Sequence, residues 1–522
     1  MTDLARPSAA ISGGVKPKRV WHLLVLGVAF VLARAKLFWQ HDVLVFGWRP
    51  ADMASVALNY YRHGFHLLYP QIFWGGSGPG YVETEFPIVP FTTALLFKFL
   101  GVHEYVDDVV PIASGLGIVW VCYCFGSFFF DEYVGVIAGV IAAVVPTLAM
   151  MTTTGLYPDP PMVLAGAAGL YAMVRWAKDG KWYELAAAAC LISLAVALKL
   201  TALYLGMPAL YLFVARYGAR FWREPSFWAF GLATLLPPVL WYWHAYRLFV
   251  EYHNTFGILF GGYSKFSSPA LLLSPRFYAR VVFRVSFYHL TPLAALGFAY
   301  GLVIVVRERI GFLLAWLGAI VVYSLIVAVG IRDGHYAYLL PLLPVAAPVA
   351  ALGLRRALGK IWDALGRPSA RAAAIGAFVL AFGADTVLAT QLFESRDRGV
   401  DAPFWLKKRA TGLRVKSLTK PGSLLIVVDT QMDDTTPERS MTPPDVFYFS
   451  DRQGWYLSMA WLSERRVEEL RQAGAAYLVV SGQSVSDFKA RDQQMLDYLA
   501  SHFPKLMDDD DGIVFELPHS RG

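Results

Sequence analysis

Residues 108–130 read DVVPIASGLGIVWVCYCFGSFFF, with one charge at the first position and none in the twenty-two residues after it. A helix of that length crosses about 30 Å of hydrocarbon. Ten further apolar runs of comparable character lie near 20–40, 134–151, 160–176, 184–198, 201–215, 226–246, 287–306, 310–330, 336–354 and 372–392. The pattern predicts an α-helical polytopic membrane protein of about eleven spans. Composition agrees: 56% of the 522 residues are hydrophobic and 16% charged, which excludes an ordinary soluble enzyme. The runs at 184–198 and 201–215 are short for straight spans and meet at Lys199, so two spans and one broken hairpin both fit.

Charge divides the chain. Residues 1–395 hold 29 Lys/Arg and 20 Asp/Glu, and residues 396–522 hold 17 and 19 in a third of the length. A membrane part, 1–395, therefore carries a soluble domain, 396–522. With a cytoplasmic N-terminus and a retained first span, the inward loops collect Lys16, Lys18 and Arg19; Arg175, Lys178 and Lys181; Arg216, Arg220 and Arg223; Arg307 and Arg309; and Arg355, Arg356, Lys360, Arg367 and Arg371. This is a positive-inside distribution, and it accounts for the basic excess as topology, with no nucleic acid as partner. An odd span count puts the C-terminal domain on the outer face, beside segments 41–107 and 247–286. Cys122, Cys124 and Cys190 all lie in apolar runs, so neither a disulfide framework nor a metal-binding cysteine pair is expected.

The C-terminal segment reads as a small α/β domain. Ser423–Val428, Ala476–Ser481 and Gly512–Leu517 have strand character; Ser463–Ala473 and Val485–His502 have helix character. The Asp508–Asp511 run reads as a solvated turn, because no spaced calcium-loop pattern surrounds it.

The first outward segment is the richest in chemistry. Trp48-Arg49-Pro50-Ala51-Asp52-Met53-Ala54-Ser55 opens a helix at Pro50, with amphipathic character through 41–107. Helical spacing sets Asp52, Ser55, Asn59 and Arg62 on one stripe, facing either a common cavity or water. Then follow a glycine-rich loop, Gly75-Gly76-Ser77-Gly78-Pro79-Gly80, which lacks the Lys-Ser/Thr of a phosphate loop, and Val82-Glu83-Thr84-Glu85-Phe86-Pro87. In extended chain Glu83 and Glu85 share a face, as a sugar or metal site needs. Asp159, in Tyr157-Pro158-Asp159-Pro160-Pro161, is the only charge between its two spans. Lys199, Arg247, Arg332 and Tyr336 also fall at outward span ends, with His244 and His253 near the same outward loop. A single histidine in such a place is more often structural than a ligand.

In order and spacing these elements resemble the integral-membrane GT-C glycosyltransferases that use polyprenyl-phosphate sugars, above all the bacterial relatives of protein O-mannosyltransferases and of the transferase that adds aminoarabinose to lipid A. The resemblance rests on Asp52, on Glu85-Phe86-Pro87 where the family has Glu-Lys-Pro, on Asp159, on Leu198-Lys199-Leu200-Thr201 and on the stretch from Tyr336 to Pro344. Tyr448-Phe449-Ser450-Asp451-Arg452-Gln453-Gly454-Trp455 is similar to part of the family's outer-face domain. Phe86 departs from the pattern, since the lysine usual there contacts the donor phosphate.

The resemblance implies a GT-C fold in a bacterial inner membrane, a periplasmic C-terminal domain, a polyprenyl-phosphate-sugar donor, and a lipid, glycan or protein acceptor. It implies Asp52 as general base of a single inverting displacement, with Glu85 and Asp159 orienting the reactants. Lys199, Arg247, Arg332 and Tyr336 are the candidates for the donor phosphate, and Glu83, Asn59 and Arg62 for the sugar or acceptor. A divalent metal ion is left open, with Glu85, His244 and His253 as candidate ligands. A flippase or exporter of lipid-linked saccharides, and a ligase or polymerase using a diphosphate-linked donor, are the competing classes.

Overall fold

The computed structural model describes residues 17–39, 48–258, 267–333, 335–429 and 444–518. Its membrane part runs α1 (Pro17–Trp39), α2 (Trp48–His63), α3 (Ile88–Leu100), α4 (Val109–Phe129), α5 (Glu132–Val144), α6 (Pro146–Met151), α7 (Asp159–Asp179), α8 (Trp182–Leu198), α9 (Gly206–Tyr217), α10 (Pro225–Tyr252), α11 (Pro269–Leu272), α12 (Pro275–Arg284), α13 (Pro292–Arg307), α14 (Gly311–Ile326), α15 (Ala328–Arg332), α16 (Leu343–Ala364) and α17 (Pro368–Phe393). Every apolar run singled out in the sequence is largely helical, with the run 287–306 interrupted at Leu290–Thr291 and the run 310–330 at Val327. The run 134–151 is broken at Val145, which is extended (φ −64°, ψ 132°) because the residue before a proline is driven out of the helical region, and Pro146 then opens α6.

Among the described residues, four helical stretches are long and apolar enough to cross a membrane: Glu104–Phe129, Leu200–Arg223, Tyr336–Ala364 and Pro368–Arg396. Pro275–His289 with Pro292–Arg307 makes a fifth if the pair, bent by 112°, is one span; Ile88–Leu100, Glu132–Val144, Trp182–Leu198 and Gly311–Ile326 are shorter apolar helices. The run at 201–215 is lengthened by tighter 3₁₀ turns at both ends to the 24 residues of Leu200–Arg223, so it reaches spanning length without α8.

At the centre stands α16, buried on every side from Leu343 to Leu354, as a helix apolar all round must be. Its approach to α13 is set by glycine. A Cβ on Gly301 would lie 1.9 Å from the Val349 carbonyl oxygen, and one on Gly353 equally close to that of Gly297, so backbone meets backbone where no other residue fits.

A helix α18 (Gly399–Leu418) leads into the C-terminal domain: β1 (Leu424–Asp429), α19 (Asp445–Ser450), β2 (Gln453–Ser458), α20 (Glu464–Gln472), β3 (Ala475–Ser481), α21 (Val485–Arg491), α22 (Gln493–His502), β4 (Lys505–Asp509) and β5 (Gly512–Glu516). The sheet order is β2-β1-β3-β5-β4; β1 pairs in parallel with β2 and β3, whereas β5 is antiparallel to β3 and β4. The three expected strands are present, β2 and β4 are additional, and the long second helix is divided at Asp492, whose side chain caps α22. Part of the acidic run, Asp508 and Asp509, lies in β4, with Asp508 paired to Lys489 and Lys505.

Alternation along β1 gives the sheet two buried faces. Ile426 and Val428 pack with Val467, Leu470, Phe488 and Leu499 of the domain's own helices. Leu425 and Val427 face the other way, into a core shared with Val56 and Tyr60 of α2, Ile72 to Trp74 of the following loop, and Phe256. The C-terminal domain thus takes part of its hydrophobic core from the first outward segment. Three polar ties secure the seam. Gly76 N–H donates to the Gly454 carbonyl (2.7 Å) and Gly454 N–H to that of Phe73 (3.0 Å), Arg62 pairs with Asp451, and Arg409 with Glu104.

Candidate active site

α2 presents Asp52 one turn from its start. Trp74, carried back by the glycine-rich loop, donates its indole N–H to Asp52 Oδ1 at 3.1 Å. The other oxygen, Oδ2, is buried and, among the described residues, has no hydrogen-bond partner. Burial pushes the carboxyl well above the usual carboxylate range, against the pull of the Trp74 bond and of the Arg49 charge. A carboxylate held in this way is a stronger base than one in water, and its open oxygen is where a proton would arrive.

The expected stripe does not converge on one cavity. Ser55 Oγ donates to the Ala51 carbonyl of its own helix (2.7 Å), Asn59 Nδ2 to the Gln71 carbonyl (2.9 Å), and Arg62 grips Asp451 through two hydrogen bonds of 2.5 and 3.1 Å. Helical spacing was right, but three of the four side chains have partners that build the segment and its seam with the C-terminal domain.

Glu83 and Glu85 also part company. Glu83 is buried and accepts from the Thr255 hydroxyl, tying the end of α10 to the loop, where Glu83 and Thr255 also form a β-bridge. Glu85 pairs with Arg49 and accepts from Thr84 Oγ1 (3.2 Å). The joint sugar or metal face expected of the two is therefore replaced by two separate attachments. Arg49 lies 4.9 Å from the centre of the Phe256 ring; burial lowers its pKa, but Glu85 and Asp52 outweigh that and raise it. Phe86, in place of a lysine, packs edge-to-face on Trp241, whose indole N–H holds the Thr84 carbonyl (3.1 Å).

Asp159 is the first residue of α7 and meets Lys199 Nζ at 2.5 Å, both largely buried. Lys199 follows the last turn of α8 in extended conformation, which swings its side chain over the Tyr338 ring, 4.9 Å from the centroid. A cation placed between an acid and an aromatic face, with limited access to water, suits a phosphate oxygen.

The other predicted phosphate ligands are exposed or have partners of their own. Arg247 is exposed on α10 above Trp243, Arg332 is exposed and pairs with neighbouring Asp333, and Tyr336 packs edge-to-face on Phe393. The histidines proposed with Glu85 as metal ligands do not join it. His244 Nε2 lies 2.8 Å from the Leu68 carbonyl, and His253 is exposed at the left-handed end of α10. Among the described residues no group of three or more His, Cys, Asp or Glu side chains is placed to hold a metal ion. Sequence reasoning missed Arg49. The signal for it was present: it is the one cation in the first turn of α2, and it lies in the same stretch as Asp52.

Residues 84–243, which include Glu85, Asp159 and Lys199, match the family model described as dolichyl-phosphate-mannose-protein mannosyltransferase. That match covers 160 of the 522 residues. The chain is similar in fold to ArnT from Cupriavidus metallidurans. Superposed on the apo structure it gives a TM-score of 0.63 at 14% identity, covering 97% of this chain and 99% of that one; on the structure bound to undecaprenyl phosphate the values are 0.64, 13%, 97% and 99%. It is also similar to the oligosaccharyltransferase AglB from Archaeoglobus fulgidus in complex with an inhibitory peptide and a dolichol-phosphate, with a TM-score of 0.55 at 12% identity over 94% of this chain and 73% of that one. A comparison with curated protein sequences gives no match.

Proposed function

We propose that this chain transfers a sugar from a polyprenyl-phosphate donor to an acceptor hydroxyl, on the membrane face that carries the C-terminal domain. Asp52 Oδ2 takes the hydroxyl proton as the acceptor oxygen attacks the anomeric carbon. The bond from that carbon to the phosphate oxygen breaks, configuration inverts, and polyprenyl phosphate leaves with the bonding pair. Lys199 meets the departing phosphate, with Asp159 fixing its position; Arg49, fixed by Glu85, is the second cation near Asp52. Arg247, Arg332 and Tyr336 are set aside for this role, as are Glu83, Asn59 and Arg62 for the acceptor, because each is exposed or already engaged. No step is routed through a metal ion, since the proposed ligands are dispersed.

One observation carries this reading: a buried carboxylate oxygen with no hydrogen-bond partner among the described residues, beside the Arg49–Glu85 pair, with Asp159 of the Lys199–Asp159 pair also acting on Arg49. The structural neighbours give support, since one was solved with undecaprenyl phosphate and another with a dolichol-phosphate. Eleven spans, a cytoplasmic N-terminus, a periplasmic C-terminal domain and a bacterial inner membrane complete the proposal. The test is purified protein given a polyprenyl-monophosphate sugar. Release of polyprenyl phosphate with a glycosylated hydroxyl supports it. Translocation of the lipid without bond cleavage points to a flippase, and release of a diphosphate points to a ligase.

A further inference from the structure

The seam between α2 and α19 holds a second acid that the mechanism above leaves unused. Phe449 of α19 packs against Ala51, the residue next to Asp52, and Tyr448 lies beside them. Asp445 is one helical turn before Phe449, at the i, i+4 spacing that puts two side chains on one helix face. It is 1% exposed, and among the described residues neither carboxylate oxygen has a hydrogen-bond partner on another residue. Asp52 Oδ2 is also buried and, among the described residues, has no partner within hydrogen-bond distance, while the indole N–H of Trp48, at the start of the same α2, acts on the Asp52 carboxylate. A native fold rarely leaves two buried carboxylates at one seam without something to bond their oxygens.

We propose that Asp445 is a positioning residue of the transfer site: the C-terminal domain places a second carboxylate beside Asp52, and the pair receives a hydroxyl-bearing acceptor. The inference rests on the reading of Asp52 as general base. A carboxylate beside another raises its partner's basicity, and Asp445 adds to the upward push on Asp52. Asp445 is itself pushed up to about 7, by burial and by Asp429, with Lys408 acting against them. The charged groups around the two acids are Arg49 on α2, Lys408 and Arg409 on α18, Asp429 at the end of β1, and Glu104 and Asp107, which face the neighbouring Tyr448. None of them is altered in the test.

The test is the pH profile of kcat/KM for Asp445→Asn, with Asp445→Glu as the conservative variant. Removing the like charge should move the acid limb about one pH unit lower and reduce kcat/KM for the acceptor by about tenfold, with the donor KM unchanged. Asp445→Glu should restore the limb toward that of wild type. An acid limb and an acceptor kcat/KM within twofold of wild type overturn the proposal. If Asp445→Asn does not fold, infrared titration of the protonated-carboxyl band serves instead, comparing wild type with Asp52→Asn. Asp445 acts on Asp52 and not the reverse, so the band that Asp52→Asn removes should titrate at higher pH than the Asp445 band, and a removed band that titrates within the ordinary carboxylate range refutes the pairing. Failure of the underlying reading is separable, because it shows as near wild-type turnover in Asp52→Asn whatever Asp445 does.

Discussion

The two halves of α2 carry the same kinds of side chain and use them in opposite ways. In the first half Asp52 has one oxygen held by Trp74 and the other left open. In the second half Asn59 and Arg62 are committed, one to the loop that follows and one to the C-terminal domain. Polarity on a helix face therefore does not mark the site. What distinguishes the working end is the chemistry of its unbonded buried oxygen: Asp52 Oδ2 belongs to a carboxylate that can take a proton, whereas the Oδ1 left unbonded on Asn59 is an amide oxygen that cannot.

The contrast is broken most directly by Asp52→Asn, which keeps the shape and removes the base. Turnover should fall by roughly 10²–10⁴-fold while the thermal transition is preserved, and retained turnover would erase the distinction between the halves. Its pH counterpart has a definite sign. The raised Asp52 pKa leaves the group protonated in acid, so kcat/KM should rise with pH through a limb above the normal carboxylate range. Next in size, Lys199→Ala should raise the donor KM by about tenfold or more, because a charge-assisted hydrogen bond contributes roughly 1.5–3 kcal/mol. An unchanged KM would shift the phosphate to Arg49. Gly76→Ala probes the seam. At φ +73° and with its Cβ 2.5 Å from the Trp455 indole nitrogen, the added methyl should destabilise by about 1–3 kcal/mol, read as a lower Tm of the purified protein. The smallest effect belongs to Arg62→Ala. Its partly exposed ion pair should contribute less than about 1 kcal/mol, with transfer within twofold of wild type; a severe loss of kcat would return Arg62 to the site.

The membrane part was legible because each apolar run is a local property, and every run is largely helical in the structure. Reading 134–151 as one run passed over Pro146, which breaks it. Asp159 and Lys199 stood out as isolated charges in apolar surroundings, and the fold pairs them. Partner choice was not legible. Nothing in the spacing of Glu83 and Glu85 says that one turns to Thr255 and the other to Arg49, since both partners are brought in by distant chain. The strand β2 escaped for a similar reason. Gln453–Ser458 is short and begins with a polar residue and a glycine, and its place is fixed by Leu424–Asp429 on one side and the glycine-rich loop on the other.

The β-bridge between Gly75 and Trp455 has a practical consequence for engineering. Grafting the extramembrane module of a relative onto this chain would bring a foreign sheet edge against the loop that presents Trp74, and with it a new orientation for the indole that grips Asp52. A working chimaera should therefore require the donor's loop, residues 70–82 here, to travel with the module as one cassette.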